Sequence, residues 1–242
     1  MYKDFYSIFN GFKDKDIGIE TIKRPNIPTT IPIFNSLNIK GKEGSLNEFV
    51  GFEDLKIQVD YNFYSLKKIN DIWRNIKNWF LNIEDNKLKF SDDPDVFYKV
   101  KKVILPENIE RCKTIGRLTV TYICEPFCYL EEGLQEIYLE KGENYLYNFG
   151  TYFSKPIFKI NAEGIVTLKI NDKKIVTANV GQNLIIDTAL ELSYKNEINS
   201  IRNNLLKGRY KDLFFDVGDN LININVDGRL DSIEVIPNWR SY

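Results

Sequence analysis

The chain has no histidine, one methionine and three cysteines among its 242 residues. Without histidine the commonest general base is missing, and every Ser-His or Cys-His nucleophile pair is excluded. Catalysis would have to rest on carboxylate, lysine or tyrosine. Cys112, Cys124 and Cys128 leave one thiol over if the other two pair, so no disulfide framework is expected. Cys124 and Cys128 straddle Pro126 and have no imidazole to help them hold zinc, which favours structural thiols. A surplus of charge is lacking too: 33 Lys and Arg against 34 Asp and Glu give a net charge of −1, not the basic footprint of a nucleic-acid reader. No apolar run approaches ~20 residues, and Met1-Tyr2-Lys3-Asp4 opens no signal peptide, so a soluble chain made without secretion is expected.

What is present is organised around Ser65 to Tyr98. Ile69, Ile72, Trp73, Ile76, Trp79 and Phe80 recur at the three- and four-residue spacing of one helical face, with Lys67, Lys68, Asp71, Arg74 and Lys77 on the other. The spacing predicts one amphipathic helix over 65–82 with Ser65 as N-cap. A helix and a hairpin cannot bury that stripe alone, so a sheet from other segments must lie beneath it. Leu88 and Phe90 alternate with lysines as a short strand, Ser91 to Asp95 reads as a turn, and Val96-Phe97-Tyr98 as extended chain running on to Leu105.

Upstream, Asn10-Gly11 separates two short apolar runs, a strand pair. Arg24 to Pro32 carries three prolines at a spacing that forbids helix and denies a ladder its donors, so it should be an extended arm or edge strand. Gly41 and Gly44 mark a tight turn needing a positive φ, a hairpin tip rather than a phosphate loop. Phe49 to Phe63 points Leu55, Ile57, Val59 and Tyr61 inward as a strand leading into the helix. Pro106 to Cys112 is expected to be loop, and Gly116 to Cys124 a strand that Pro126 ends.

From Glu143 the chain is almost purely β. Asn161 to Gly164, Asn171-Asp172, Gly181 to Asn183, Gly218 to Asn220 and Asp227-Gly228 read as turns between many short strands, the pattern of a sandwich. A domain boundary falls near Tyr129 to Glu140. Asp92, Asp93 and Asp95 lack the glycine and bidentate glutamate of a calcium loop. Trp73 and Trp79 belong to the apolar stripe and should pack in the core, while Trp239, near the chain end, is open. Glu131, Glu132, Glu136 and Glu140 offer carboxylates but no visible cleft, so no enzyme is expected and no catalytic, cofactor or metal residue is assigned.

Taken in order, the 39–46 turn, the helix with LKFSDDPDVFYKVK behind it, GRLTVTYICEPFCY, NFGTYFSKPIFKI, Leu184 to Asp187, Val217 to Asn220 and Val235-Ile236-Pro237-Asn238-Trp239 resemble the distal tail proteins of long-tailed bacteriophages. The resemblance covers nearly the whole chain. One departure is Lys42, where the glycine turn of the family carries Arg, so no bidentate role is implied there. It implies a mainly β, two-domain fold: residues 1–135 a ring-forming β-sandwich with one helix, 136–242 a galectin-like β-sandwich. It also implies a hexameric ring at the virion tail tip, made in the bacterial host cytoplasm. The ring would lie between the tail tube protein and the tail-associated hub protein, with a receptor-binding protein as a further partner. DNA would pass through a near-neutral lumen without specific binding. A closed head-to-tail ring needs two complementary patches, and a stiff proline arm is the cheapest element to lay across a neighbour. Residues 24–46 are therefore expected at the subunit interface, in particular Arg24, Pro25, Pro28, Pro32, Gly41, Lys42 and Gly44. The alternative is a carbohydrate-binding adhesin acting through the galectin-like domain.

Overall fold

The computed structural model describes residues 5–41, 43–64, 69–107, 110–112, 115–196 and 198–242, and among residues 69–72 and 110–112 the backbone alone. Ser65, Lys42 and the side chains of Ile69, Ile72 and Cys112 therefore lie outside the described residues. The fold is mainly β, with one α-helix among the described residues, and the chain divides into two compact units, Met1–Cys128 with Tyr242, and Tyr129–Ser241.

In the first unit, β1 (Ser7–Phe9) and β2 (Phe12–Lys13) close a two-residue hairpin. Asn10 and Gly11 both take positive φ, as that turn requires. There follow β3 (Ile19–Thr21), β4 (Pro32–Asn38), β5 (Ser45–Phe52), β6 (Leu55–Tyr64), α1 (Ile69–Leu81), β7 (Lys87–Phe90), β8 (Asp93–Ile104), β9 (Glu110–Cys112) and β10 (Ile115–Leu130). One sheet runs β2-β1-β7-β8-β10-β6-β3, while β4 and β5 form a two-stranded sheet of their own. Helix α1 lays Ile76, Trp79 and Phe80 into the core against Phe9, Tyr61 and Tyr122. Trp79 meets Phe9 edge-on at 5.6 Å, and Phe80 meets Tyr122 at 6.1 Å. Trp73 packs at the margin, half-buried. Beneath them a chain of hydroxyls links Tyr122 to Tyr61 at 2.7 Å and Tyr61 to Ser7 at 3.1 Å. The buried Asp14 carboxylate ends the chain, accepting from the Ser7 and Thr21 amides. Burial pushes the phenols of Tyr61 and Tyr122 up, and the Cys124 thiol up to about 12, so all three stay protonated in the core.

Three expectations need correction here. Pro126 does not end its strand, because β10 continues to Leu130. Its ladder with β6 stops at the Cys124 to Leu55 pair, so Pro126 has no β6 bond to forfeit. The aspartate turn is only Ser91-Asp92, with Pro94 already in β8 where the register to β7 slips. Residues 110–112 are not loop but β9, paired to β10.

The second unit contains β11 (Ile137–Leu139), β12 (Gly142–Asn148), β13 (Ile157–Ile170), β14 (Val176–Asp187), β15 (Leu192–Tyr194), β16 (Leu206–Lys207) and β17 (Gly218–Ile236). Their sheet runs β11-β17-β13-β14-β15, with β12 also on β17 and β16 also on β14. The predicted turns at 161–164, 181–183, 218–220 and 227–228 are not turns, 218–220 being the first residues of β17 paired to β12. Each of the other three lies inside a long strand that bends without breaking. Gly164 and Gly228 face each other across β13 and β17 at φ of 113° and 132°. A Cβ on either would sit 2.0 Å from a carbonyl of the other strand. Glycine there curls the sheet over its own core. A bulge beside it, where Asn161 faces Ser232 and Ala162 faces Leu230, leaves Asp231 over. That extra residue switches the buried positions of β17 from Ile222, Ile224 and Val226 to Ile233 and Val235. Trp239 is buried, its ring 5.6 Å from Phe215.

Replacing Gly164 by Ala should lower the unfolding free energy by about 3 kcal/mol, from the strained φ and the carbonyl clash together. Gly181→Ala, whose Cβ would meet only the flexible Lys195 ammonium at 3.6 Å, should be nearly neutral. Urea unfolding of both variants checks this, and equal stabilities would contradict it.

Candidate subunit interface

Strands β4 and β5, with the residues flanking β4, carry apolar side chains that the described residues of their unit leave about half exposed. Ile31, Ile33, Phe34, Leu37, Ile39, Leu46, Phe49 and Val50 are all exposed, from 39% at Ile33 to 57% at Leu37. Cross-strand partners share a face. Leu37 opposes Leu46 on one face, and Phe34 opposes Phe49 on the other with ring centroids 5.9 Å apart. Toward the tip the second face turns polar, Ser36 donating to Asn47 at 2.7 Å. Val50 is extra, because Ile33 pairs with Gly51 and Phe34 with Phe49. Gly41 and Gly44 turn the tip at φ of 87° and 80°, where a side chain would be strained. Among the described residues β4 and β5 pair only with each other, so both outer edges present free amides and carbonyls.

The root of this hairpin is fixed by rings. Phe49 leads to Phe52 at 5.1 Å, and Phe52 to Phe127 at 5.3 Å and Tyr242 at 5.8 Å. The proline segment before it is held by its own unit. Arg24 forms an ion pair with Asp92, Pro25 is buried, Pro28 is half-buried, Ile27 packs on the core, and the Thr30 hydroxyl donates to the Pro126 carbonyl at 2.7 Å. Of the residues singled out from sequence, Pro32, Gly41 and Gly44 therefore lie on the projecting hairpin. Arg24, Pro25 and Pro28 belong to its tether. Sequence reasoning missed the aromatic half of the surface, Phe34, Phe49 and Val50, because 49–63 read as one strand. The break at Glu53-Asp54 was the available signal.

A second candidate surface, of mixed character, lies at the far end of the large sheet, where β3 pairs with β6 alone among the described residues. A groove of about 420 Å³ there is lined by Lys15, Gly18, Glu20 and Asn62 as well as by Ile19, Phe63, Tyr64 and Ile115; of the apolar four, Tyr64 and Ile115 are exposed and Ile19 and Phe63 buried. Elsewhere, no group of three Cys, Asp or Glu that could hold a metal occurs among the described residues. No described helix is long and apolar enough to cross a membrane.

No protein-family model matches the chain, and no curated protein is detectably similar in sequence. Solved structures do match. The SPP1 Dit (gp 19.1) protein, described as a paradigm of the hub adsorption apparatus in phages infecting Gram-positive bacteria, is 13% identical with a TM-score of 0.59, over 96% of this chain and 97% of that one. Two structures of the phage P2 baseplate in its activated conformation, with Ca and with Sr, are 9% identical with TM-scores of 0.50 over 96% of each chain. The chain thus shares the fold of the SPP1 Dit protein over almost its full length.

In the single chain, Phe52→Ala should cost about 2 kcal/mol by unpacking the hairpin root. Phe34→Ser should cost less than about 0.5 kcal/mol, since its ring is already half in water. Denaturant titration at low protein concentration distinguishes them, and a larger loss from Phe34→Ser would contradict the placement of the root.

Proposed function

We propose that this chain is a structural component of a phage or phage-derived tail tip, assembling as a hexameric ring that joins the tail tube to the hub and host-adhesion apparatus. The observation that carries the proposal is the uncovered hairpin on a chain whose fold matches a Dit protein over almost its full length. The first unit is the ring-forming domain, and the second, galectin-like, is the outward module to which a receptor-binding protein would attach.

Ring formation needs two unlike patches on each subunit, one to offer and one to receive. The hairpin with Pro32, Gly41, Lys42 and Gly44 is the offered patch. Arg24, Pro25 and Pro28 aim it, and the groove along β3 is suited to receive. Completing the burial of a half-exposed large apolar side chain gains about 1 kcal/mol. Eight of them nearly balance the roughly 4–15 kcal/mol that association costs. One such contact alone is weak. Closure makes the last contact intramolecular and stabilises the whole. The near-neutral net charge of −1 suits a lumen through which DNA slides without being held by counterion release. The role calls for no turnover and no cofactor, and its place is the virion tail tip, after synthesis in the host cytoplasm.

Size-exclusion chromatography with light scattering tests this. The full chain should give a closed species of six times 28.4 kDa. Replacing 33–51 by a short Gly-Ser linker should give a monomer with an unchanged β-type circular dichroism spectrum. A monomeric full chain, or a ring that survives the replacement, would overturn the reading.

A further inference from the structure

The chain holds one Asn-Gly pair among its 14 glycines, and it forms the turn between β1 and β2. Both residues take positive φ, 52° at Asn10 and 76° at Gly11, and the turn asks no more of Asn10 than that. Its side chain has a further task. The Asn10 amide nitrogen donates to the Trp79 carbonyl at 3.1 Å and to the Asn82 carbonyl at 2.7 Å. Its oxygen accepts from the Glu84 and Asp85 amides at 2.8 and 2.9 Å. All these partners lie 69 to 75 positions along the chain, at the end of α1 and in the segment leading to β7. Asn10 itself is only 9% exposed.

A helix leaves its last carbonyls without donors of its own. The last turn of α1 has no basic residue, and no glycine follows before β7. The Asn10 amide therefore caps the helix from a different element. A group that meets carbonyls and amides together must be a carboxamide, because a carboxylate cannot donate and a hydroxyl has a single proton.

Asparagine is also a thermolabile residue, most of all before glycine, where no side chain hinders the neighbouring nitrogen. That nitrogen attacks the asparagine Cγ and gives up its proton, the bond from Cγ to the side-chain nitrogen breaks, ammonia leaves, and a succinimide ring is formed. Water then opens the ring, giving aspartate or, by cleavage at the backbone carbonyl, isoaspartate. A carboxamide held at both ends by α1 and its following segment is not free to turn its Cγ onto the Gly11 nitrogen.

We infer that Asn10-Gly11 is a latent deamidation site gated by α1, closed while the end of the helix is docked and reactive when it lifts. The conversion locks itself in. The carboxylate it produces faces the Trp79 and Asn82 carbonyls with nothing to donate, and isoaspartate also lengthens the backbone of a turn that has room for two residues. None of these groups belongs to the β4 and β5 hairpin, so the gate is independent of ring assembly.

Peptide mapping by mass spectrometry, with isoaspartyl methylation as a second readout, tests this on the full-length chain aged in mildly alkaline buffer with and without urea. Conversion at Asn10 should be at least about tenfold slower in the folded chain than in urea. Ile76→Val trims a buried α1 side chain without touching Asn10, and should speed conversion in the folded chain about threefold. Asn10→Asp should speed hydrogen exchange of the amides at 78–85 about tenfold or more, while the β13 to β17 ladder keeps its protection. The urea comparison needs no variant and stands even if a variant folds poorly. Equal conversion with and without urea, no conversion in urea, an Ile76→Val rate matching the parent, or unaltered exchange at the end of α1 in Asn10→Asp would each overturn the inference.

Discussion

A two-stranded antiparallel ribbon is at best marginally stable in water, and one that turns apolar side chains to both faces is an invitation to pair. That constraint governs the first unit. Its hairpin stands clear of the sheet with Leu37 and Leu46 on one face and Phe34 and Phe49 on the other. The described residues of the unit leave them about half exposed, yet the hairpin is not loosely attached. The Phe49, Phe52, Phe127 and Tyr242 rings clamp its base, and the Arg24 to Thr30 tether is pinned by an ion pair, a buried proline and a hydroxyl bond. A surface held at a fixed angle by its own subunit costs little further ordering when a partner covers it.

The second unit meets the opposite situation. Its long strands close over a core of Phe158, Leu168, Ile186, Ile224, Phe215 and Trp239. Glycines at 164 and 228 let the sheet curl tightly enough for one set of strands to supply both layers. Asparagines at 148, 171 and 220 tie the loops at one end to the strands. With its core closed internally, the unit leaves Asn179, Asn223 and Asn225 exposed on its outer face without side-chain hydrogen bonds.

The parts legible in the sequence were those where one physical signal acts locally. The stripe through Ile76, Trp79 and Phe80 needed only helical period, Asn10-Gly11 needed only the two-residue turn, and Gly41 and Gly44 needed only positive φ. Misreadings arose where a residue type has two uses. Glycine next to Asp or Asn signals a hairpin tip as readily as a strand bend, and only cross-strand register, invisible in one segment, tells that Gly164 faces Gly228. Proline breaks a ladder only where a ladder bond is due, so Pro126 passed unnoticed beyond the last β6 pair. The hairpin tip and its tether were readable from glycine and proline. The Phe34 and Phe49 surface was not, because exposure is a property of the folded unit and apolar alternation looks the same in an open ribbon as in a buried strand.

Hydrogen exchange of the hairpin amides, measured in the assembled chain and again after dissociation by dilution, tests most directly whether a second copy completes this ribbon. Amides of 32–38 and 45–52 should exchange slowly in the assembly, on the scale of the β6 to β10 ladder, and rapidly in the single chain. Rapid exchange in the assembly, or equal protection in the isolated chain, would contradict the account.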